Sequence, residues 1–209
     1  VTTKYSCQSI LQMIMIIVTI ITYEKEVSFI MHSPKPSLST GNLEQNEQTT
    51  NWSRLNCSEK FLVWVIHHWA YERNENRDPL PKIQAAFEAL GFEESTILTA
   101  DIFSEILSAL FASSTVKLTV GCPHNLGTVE HFLLGYLGFL QSKQQHIGKE
   151  LLSKCLPNAS LRLVSNRLNI LGKKLTSHNF KISVWPEHLD MLSRATGTTN
   201  EKTHNIIIH

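Results

Sequence analysis

Leu151-Leu152-Ser153-Lys154-Cys155-Leu156-Pro157-Asn158-Ala159-Ser160-Leu161-Arg162-Leu163-Val164-Ser165-Asn166-Arg167-Leu168-Asn169-Ile170-Leu171-Gly172-Lys173-Lys174-Leu175 is the stretch that decides the fold. Leu161, Val164, Leu168, Leu171 and Leu175 recur at alternating steps of three and four, which puts them on one stripe of an α-helix. Pro157 stops the short apolar run before it, and Asn158 is placed to cap the longer helix, 159–175. The segment therefore reads as two helices joined by a turn. The face opposite the leucine stripe carries Arg162, Asn166, Asn169 and Lys173, with Arg167 beside them.

The same grammar extends towards the N-terminus. Phe61-Leu62-Val63-Trp64-Val65-Ile66 is apolar almost all round, as in a central helix, and Asn56 or Ser58 can cap it. Asp78-Pro79-Leu80-Pro81 breaks the chain and starts a second helix, 82–90, which Gly91 ends. Thr99 is placed to cap a third, with Ile102, Phe103, Ile106, Leu107 and Leu110 at helical spacing. After a turn at 121–127, Thr128 is placed to cap an apolar helix over 129–141. That helix carries Gly135-x-x-Gly138, a spacing that lets another helix approach closely. A short helix over 148–156 leads into 159–175, and 186–195 adds a peripheral one. Val116, Leu118 and Val120 alternate, so 115–120 reads as a short strand or an extended connector, and Phe180–Trp185 alternates in the same way. Helices joined by short loops, with at most one short strand, predict an all-α fold: a compact bundle of about six helices with a flexible N-terminal segment.

The domain organisation follows from composition. Residues 1–30 form an apolar leader, uncharged between Tyr5 and Tyr23 and densest over residues 10–21. It reads as an upstream segment dispensable to the protein, as a single-pass membrane anchor, or, with a poorer cleavage pattern, as a signal peptide. Residues 31–54 are polar and rich in Ser, Thr, Asn, Gln and Glu, the composition of a disordered linker. The helical domain is expected over 55–196 and a tail over 197–209.

With 209 residues and 42% hydrophobic side chains, the chain can bury an ordinary core, and a formal net charge of +1 excludes a uniformly basic or acidic protein. The near-neutral total conceals an uneven layout. Residues 44–105 hold eleven acids against five bases, whereas 143–181 hold eight bases and one acid, Glu150. Such halves attract each other within one globule or across a homodimer, stay solvated, or face a charged partner. The four cysteines, Cys7, Cys57, Cys122 and Cys155, lie far apart, which argues against a disulfide-stapled secreted fold and for a cytoplasmic location. Membrane anchoring through residues 10–21 is the alternative location.

Two resemblances emerge. The 151–175 pair, with Val164-Ser165-Asn166-Arg167-Leu168 in its second helix, is similar to the helix-turn-helix unit of winged bacterial regulators. The likeness implies DNA binding, with Arg162, Asn166, Arg167, Asn169 and Lys173 as contacts. Arg and Asn pair with guanine and adenine edges, and Lys neutralises phosphate. The turn is one residue longer than in the winged form, and a wing would have to come from Phe180–Trp185. Separately, Leu55-Asn56-Cys57-Ser58-Glu59 leading into Leu62 and Trp64, then Cys122-Pro123 before an apolar helix, resembles a group of small uncharacterised bacterial helical proteins over about residues 55–175. That implies a shared helical fold without a defined activity.

Metal and thiol chemistry have one candidate locus. Cys122, His124 and His131 supply thiolate and imidazole around the 121–127 turn, but a tetrahedral zinc needs four such ligands, and only one close pair is present. The competing expectation makes Cys57, Cys122 and Cys155 small buried residues. His68 and Glu72, four apart, read as a surface pair. No nucleotide, metalloprotease or serine-hydrolase motif is present in the sequence. The sequence thus predicts a non-enzymatic helical protein with an interaction or regulatory role and a protein partner or second copy. A helix-turn-helix DNA-binding regulator is the alternative, and a structural zinc or thiol site at Cys122/His124 a further one. No cofactor other than zinc is suggested.

Overall fold

Asn56 opens the first helix with reciprocal capping. Its side chain accepts from the Glu59 backbone amide (3.0 Å), and the Glu59 carboxylate accepts from the Asn56 amide (2.8 Å). The computed structural model describes residues 52–92, 96–121 and 125–195, and the leader (1–30), most of the linker, Cys122–His124 and the tail lie outside them. From that cap runs α1 (Cys57–Asn74), followed by α2 (Leu80–Ala89), α3 (Thr96–Ser113), α4 (Thr128–Gln141), α5 (Gln145–Ser153), α6 (Asn158–Ser177) and α7 (Pro186–Ala195). The fold is all-α, with seven α-helices and no strand among the described residues. The peripheral helix makes seven where about six were expected.

Helix starts differ from the sequence reading where side-chain caps do not define them. Helix α3 starts at Thr96, whose hydroxyl donates to the Phe92 carbonyl (2.7 Å), so Thr99 lies inside the helix and is buried. Helix α4 starts at Thr128, but Gly127 is its cap, because the Glu130 carboxylate reaches back to the Gly127 amide (3.1 Å). Helix α5 begins at Gln145, three residues before Gly148, and α6 follows Pro157. The linker boundary also moves. Trp52–Arg54 form a short 3-10 turn, and Arg54 ion-pairs with Glu187 (2.6 Å).

Two helices are central. In α1, Phe61 through Ile66 are all buried, as the unbroken apolar run requires, and in α4 every residue from Val129 to Phe139 is buried. Helices α3 and α6 run antiparallel. The Thr115 amide and hydroxyl donate to the Cys155 carbonyl at one end (2.8 and 3.1 Å), while Phe92 stacks on His178 at the other, with centroids 3.8 Å apart. The expected stripe of Leu161, Val164, Leu168, Leu171 and Leu175 is buried throughout. Helix α3 is long and apolar enough to cross a membrane by length and composition, but Ile102, Phe103, Ile106, Leu107 and Leu110 are spent on the core.

Both strand-like segments are extended yet build no sheet among the described residues. The reason is visible at 180–185, where side chains take over the pairing that a neighbouring strand would supply. Gln141 donates to the Phe180 carbonyl (2.8 Å) and accepts from the Ile182 amide (2.9 Å). Glu59 accepts from the Ser183 amide (2.7 Å), and Asn56 donates to the Lys181 carbonyl (3.1 Å). No wing therefore forms from this segment. The same segment, and not a helix, fills the gap over Gly138, where an added Cβ would lie 3.0 Å from both the Ser183 carbonyl oxygen and a Val184 methyl.

Candidate functional site

The α5–α6 pair carries most of the residues singled out for binding. Its turn, Lys154–Pro157, reverses the chain, and Gln145 at the start of α5 donates to Asn169 in the middle of α6 (2.9 Å). That bond ties the start of α5 to the middle of α6, so that the two helices form a hairpin about the turn. The inner sides of both helices rest on α4, with Gly148 against the Tyr136 ring and Gly172 against Leu140.

Arg162, Asn166 and Lys173 are exposed on the outer side of α6. Asn169 is not free. It is half-buried, and its oxygen accepts from Gln145 and from the Tyr136 hydroxyl (3.4 Å). Arg167 is also engaged, pairing with Glu105 of α3 (2.7 Å). Two of the five residues expected as DNA contacts thus have intramolecular partners that only the tertiary fold supplies. Lys149 of α5 and Lys154 of the turn are exposed as well, and Glu150 is the acid beside them.

The acids have a different fate. Glu59, Glu72 and Glu130 are buried, and Glu59 and Glu130 are spent on backbone amides and ring nitrogens. Glu72 is held by Arg77 and Lys82, which keep its carboxyl below the usual carboxylate range. His68 beside it is buried too, stacked on Trp64, so the expected surface pair His68–Glu72 is an interior one. Burial, helped by the nearby Lys82 charge, lowers the His68 pKa.

The second polar centre surrounds the start of α4. Glu130 accepts from His67 Nε2 (2.7 Å), the Gly121 amide (2.8 Å) and the Gly127 amide. The carboxylate closes the neck of the 121–127 loop. Both glycines are required there, since a Cβ on Gly121 would lie 2.1 Å from the Asn125 carbonyl oxygen and one on Gly127 2.3 Å from that of Thr119. Cys122 and His124 belong to this loop and lie outside the described residues. His131, the third residue of that candidate set, points into the core. It is 2% exposed, and its Nδ1 lies 2.8 Å from Nδ1 of the fully buried His188 on α7. One ring donates and the other accepts. Burial pushes the His131 pKa down to about 4 and that of His188 to about 3, with the His131 charge adding to the second effect. No group of three or more His, Cys, Asp or Glu side chains suited to a metal is found among the described residues.

Of the cysteines, Cys155 is buried as expected, with its thiol pushed up to about 12 by desolvation, whereas Cys57 is exposed at the start of α1. Sequence reasoning missed His67–Glu130 and His131–His188, since each pairs residues more than fifty positions apart. It also missed the capping roles of Glu59 and Glu130. The signal for those was present: a Glu three residues after the cap in Asn56-Cys57-Ser58-Glu59 and Gly127-Thr128-Val129-Glu130. The chain matches no known protein family, no curated protein and no solved structure.

Proposed function

We propose that this chain is a non-enzymatic helical interaction domain with a regulatory role, and that its working surface is the outer side of α5 and α6, which takes an anionic macromolecule. One observation carries the reading. Of the eight bases between Lys143 and Lys181, Arg167 alone has an ion-pair partner among the described residues. Glu59, Glu72 and Glu130 are buried, Glu105 is taken by Arg167 and Glu187 by Arg54, and Glu150 is the one acid on α5 and α6. A near-neutral protein thus presents a positive field on one side. The titratable groups around the start of α4 support the non-catalytic part, because His67, Glu130, His131 and His188 hold one another and the backbone.

The test is retention on a heparin matrix at neutral pH, comparing the full chain with Arg162→Glu/Lys173→Glu. The control Lys117→Glu/Arg194→Glu makes the same change in net charge on exposed residues elsewhere. The reading expects the first variant to elute at clearly lower salt than the control. Equal elution of the two variants overturns it. A second reading, a helix-turn-helix regulator that reads bases with α6, is favoured by the exposure of Arg162, Asn166 and Lys173.

A further inference from the structure

The geometry points to a specific partner class: we infer that the α5–α6 hairpin binds double-stranded DNA along its phosphate backbone, independently of base sequence. The inference rests on the reading of this face as an anion-binding surface and adds the identity of the anion.

Three features select the partner. The first is spacing. Arg162 and Lys173 lie eleven residues apart on one exposed side of α6, a separation of about 16 Å at 1.5 Å per residue. With the reach of two long side chains, that span straddles a major groove about 12 Å wide, so each cation meets a different strand's phosphates. Lys149 and Lys154 add two further charges from α5 and the turn, against the single acid Glu150.

The second feature is what the face lacks in kind. Single-stranded nucleic acids are held by stacking on exposed aromatic rings. The exposed large apolar residues among those described are Tyr71, Ile97, Leu98, Phe111 and Leu163, and the two aromatic ones lie on α1 and α3. A membrane surface would need an apolar cluster to embed, and α5–α6 offers Leu163 alone.

The third feature argues for phosphate contact over base readout. Asn169 and Arg167, suited to pair with adenine and guanine, are held by Gln145 and Glu105. The exposed groups of the hairpin include cations and short polar side chains such as Asn166 and Asn158, which serve phosphate oxygens in any sequence, with Glu150 its one exposed acid.

The experiment is fluorescence anisotropy with the full chain and labelled mixed-sequence DNA duplexes of about 20 base pairs, from about 50 to 200 mM salt. Matched arms use a single strand, an RNA duplex, anionic vesicles and heparin. Four phosphate contacts predict a log–log salt slope of about −3 to −4, a loss of affinity of about a hundredfold over that range. Affinity should differ less than about threefold between unrelated duplexes, and Arg162→Glu/Lys173→Glu should weaken it by more than about tenfold. Duplex binding absent at low salt while heparin binding persists overturns this inference and leaves the anion-binding face standing. Absence of both removes both. Tighter binding to single strands, RNA duplex or vesicles overturns it, as does a strong preference for one duplex sequence, which supports base reading instead.

Discussion

Acidifying the protein from about pH 7.5 to about pH 5 should destabilise it through two buried rings, and the size of the effect follows from their environment. His131 and His188 face each other across the α4–α7 contact, with pKa values lowered from 6.5 to about 4 and about 3. In the unfolded chain both take up protons near 6.5, whereas in the folded chain they stay neutral until the pH is far lower. The unfolded state therefore binds more protons throughout that interval, and stability falls as pH drops below 6.5. Each ring contributes a loss of about 2 kcal/mol by pH 5, about 4 kcal/mol together. For a domain of this size that lowers the melting temperature by roughly 10–15 °C. The carboxylates of Glu130 and Glu187 oppose the shift at His131, and buried His68 adds a loss of the same sign. The depressed carboxyls of Glu72 and Glu187 do not interfere, since their contribution is complete above 4.5 and disappears only below it. Urea unfolding followed by circular dichroism at a series of pH values measures the slope. Replacing His188 with Leu should reduce that slope by about 1 kcal/mol per pH unit between pH 6 and 5, whatever it does to absolute stability. A wild-type stability that is flat over this range, or an unchanged slope in the variant, refutes the reasoning.

Other perturbations test different parts of the structure. Glu130→Gln places an amide donor against one of the three donors that Glu130 accepts, so urea unfolding should show a loss of about 2–3 kcal/mol; a loss below about 0.5 kcal/mol contradicts the closed neck. Leu171→Ala deletes a fully buried side chain of the α6 stripe and should cost about 2–5 kcal/mol, whereas Leu163→Ala, on the exposed side, should stay within about 0.5 kcal/mol. Metal analysis of untagged protein should find zinc well below one equivalent, because His131 is committed to His188; a stoichiometric zinc that resists chelation would revive the Cys122/His124 site.

The fold was legible because its signals are local. The stripe from Leu161 to Leu175, the Asp78–Pro81 break and the apolar run at Phe61–Ile66 each mark a helix within a few turns of chain, and the structure buries the stripe and the run and starts α2 at the break. Strand-like alternation at Phe180–Trp185 was misleading, because its backbone partners are the side chains of Gln141, Glu59 and Asn56, distant in sequence. The same distance explains the site. Nothing near Asn169 or Arg167 announces Gln145 and Glu105 as their partners, and nothing near His131 announces His188. Charge segregation was readable as a count, but which charges remain free depends on burial, which only the fold assigns.

The central claim, that the outer side of α5 and α6 is the binding surface, is tested most directly by an amide-resolved NMR titration of the full chain with a mixed-sequence DNA duplex at low salt. The account predicts that the largest shift changes cluster at Lys149, Lys154, Arg162, Asn166 and Lys173, all exposed on α5, α6 or the turn between them. Changes centred on α1, α2 or α7, with this face silent, would contradict it.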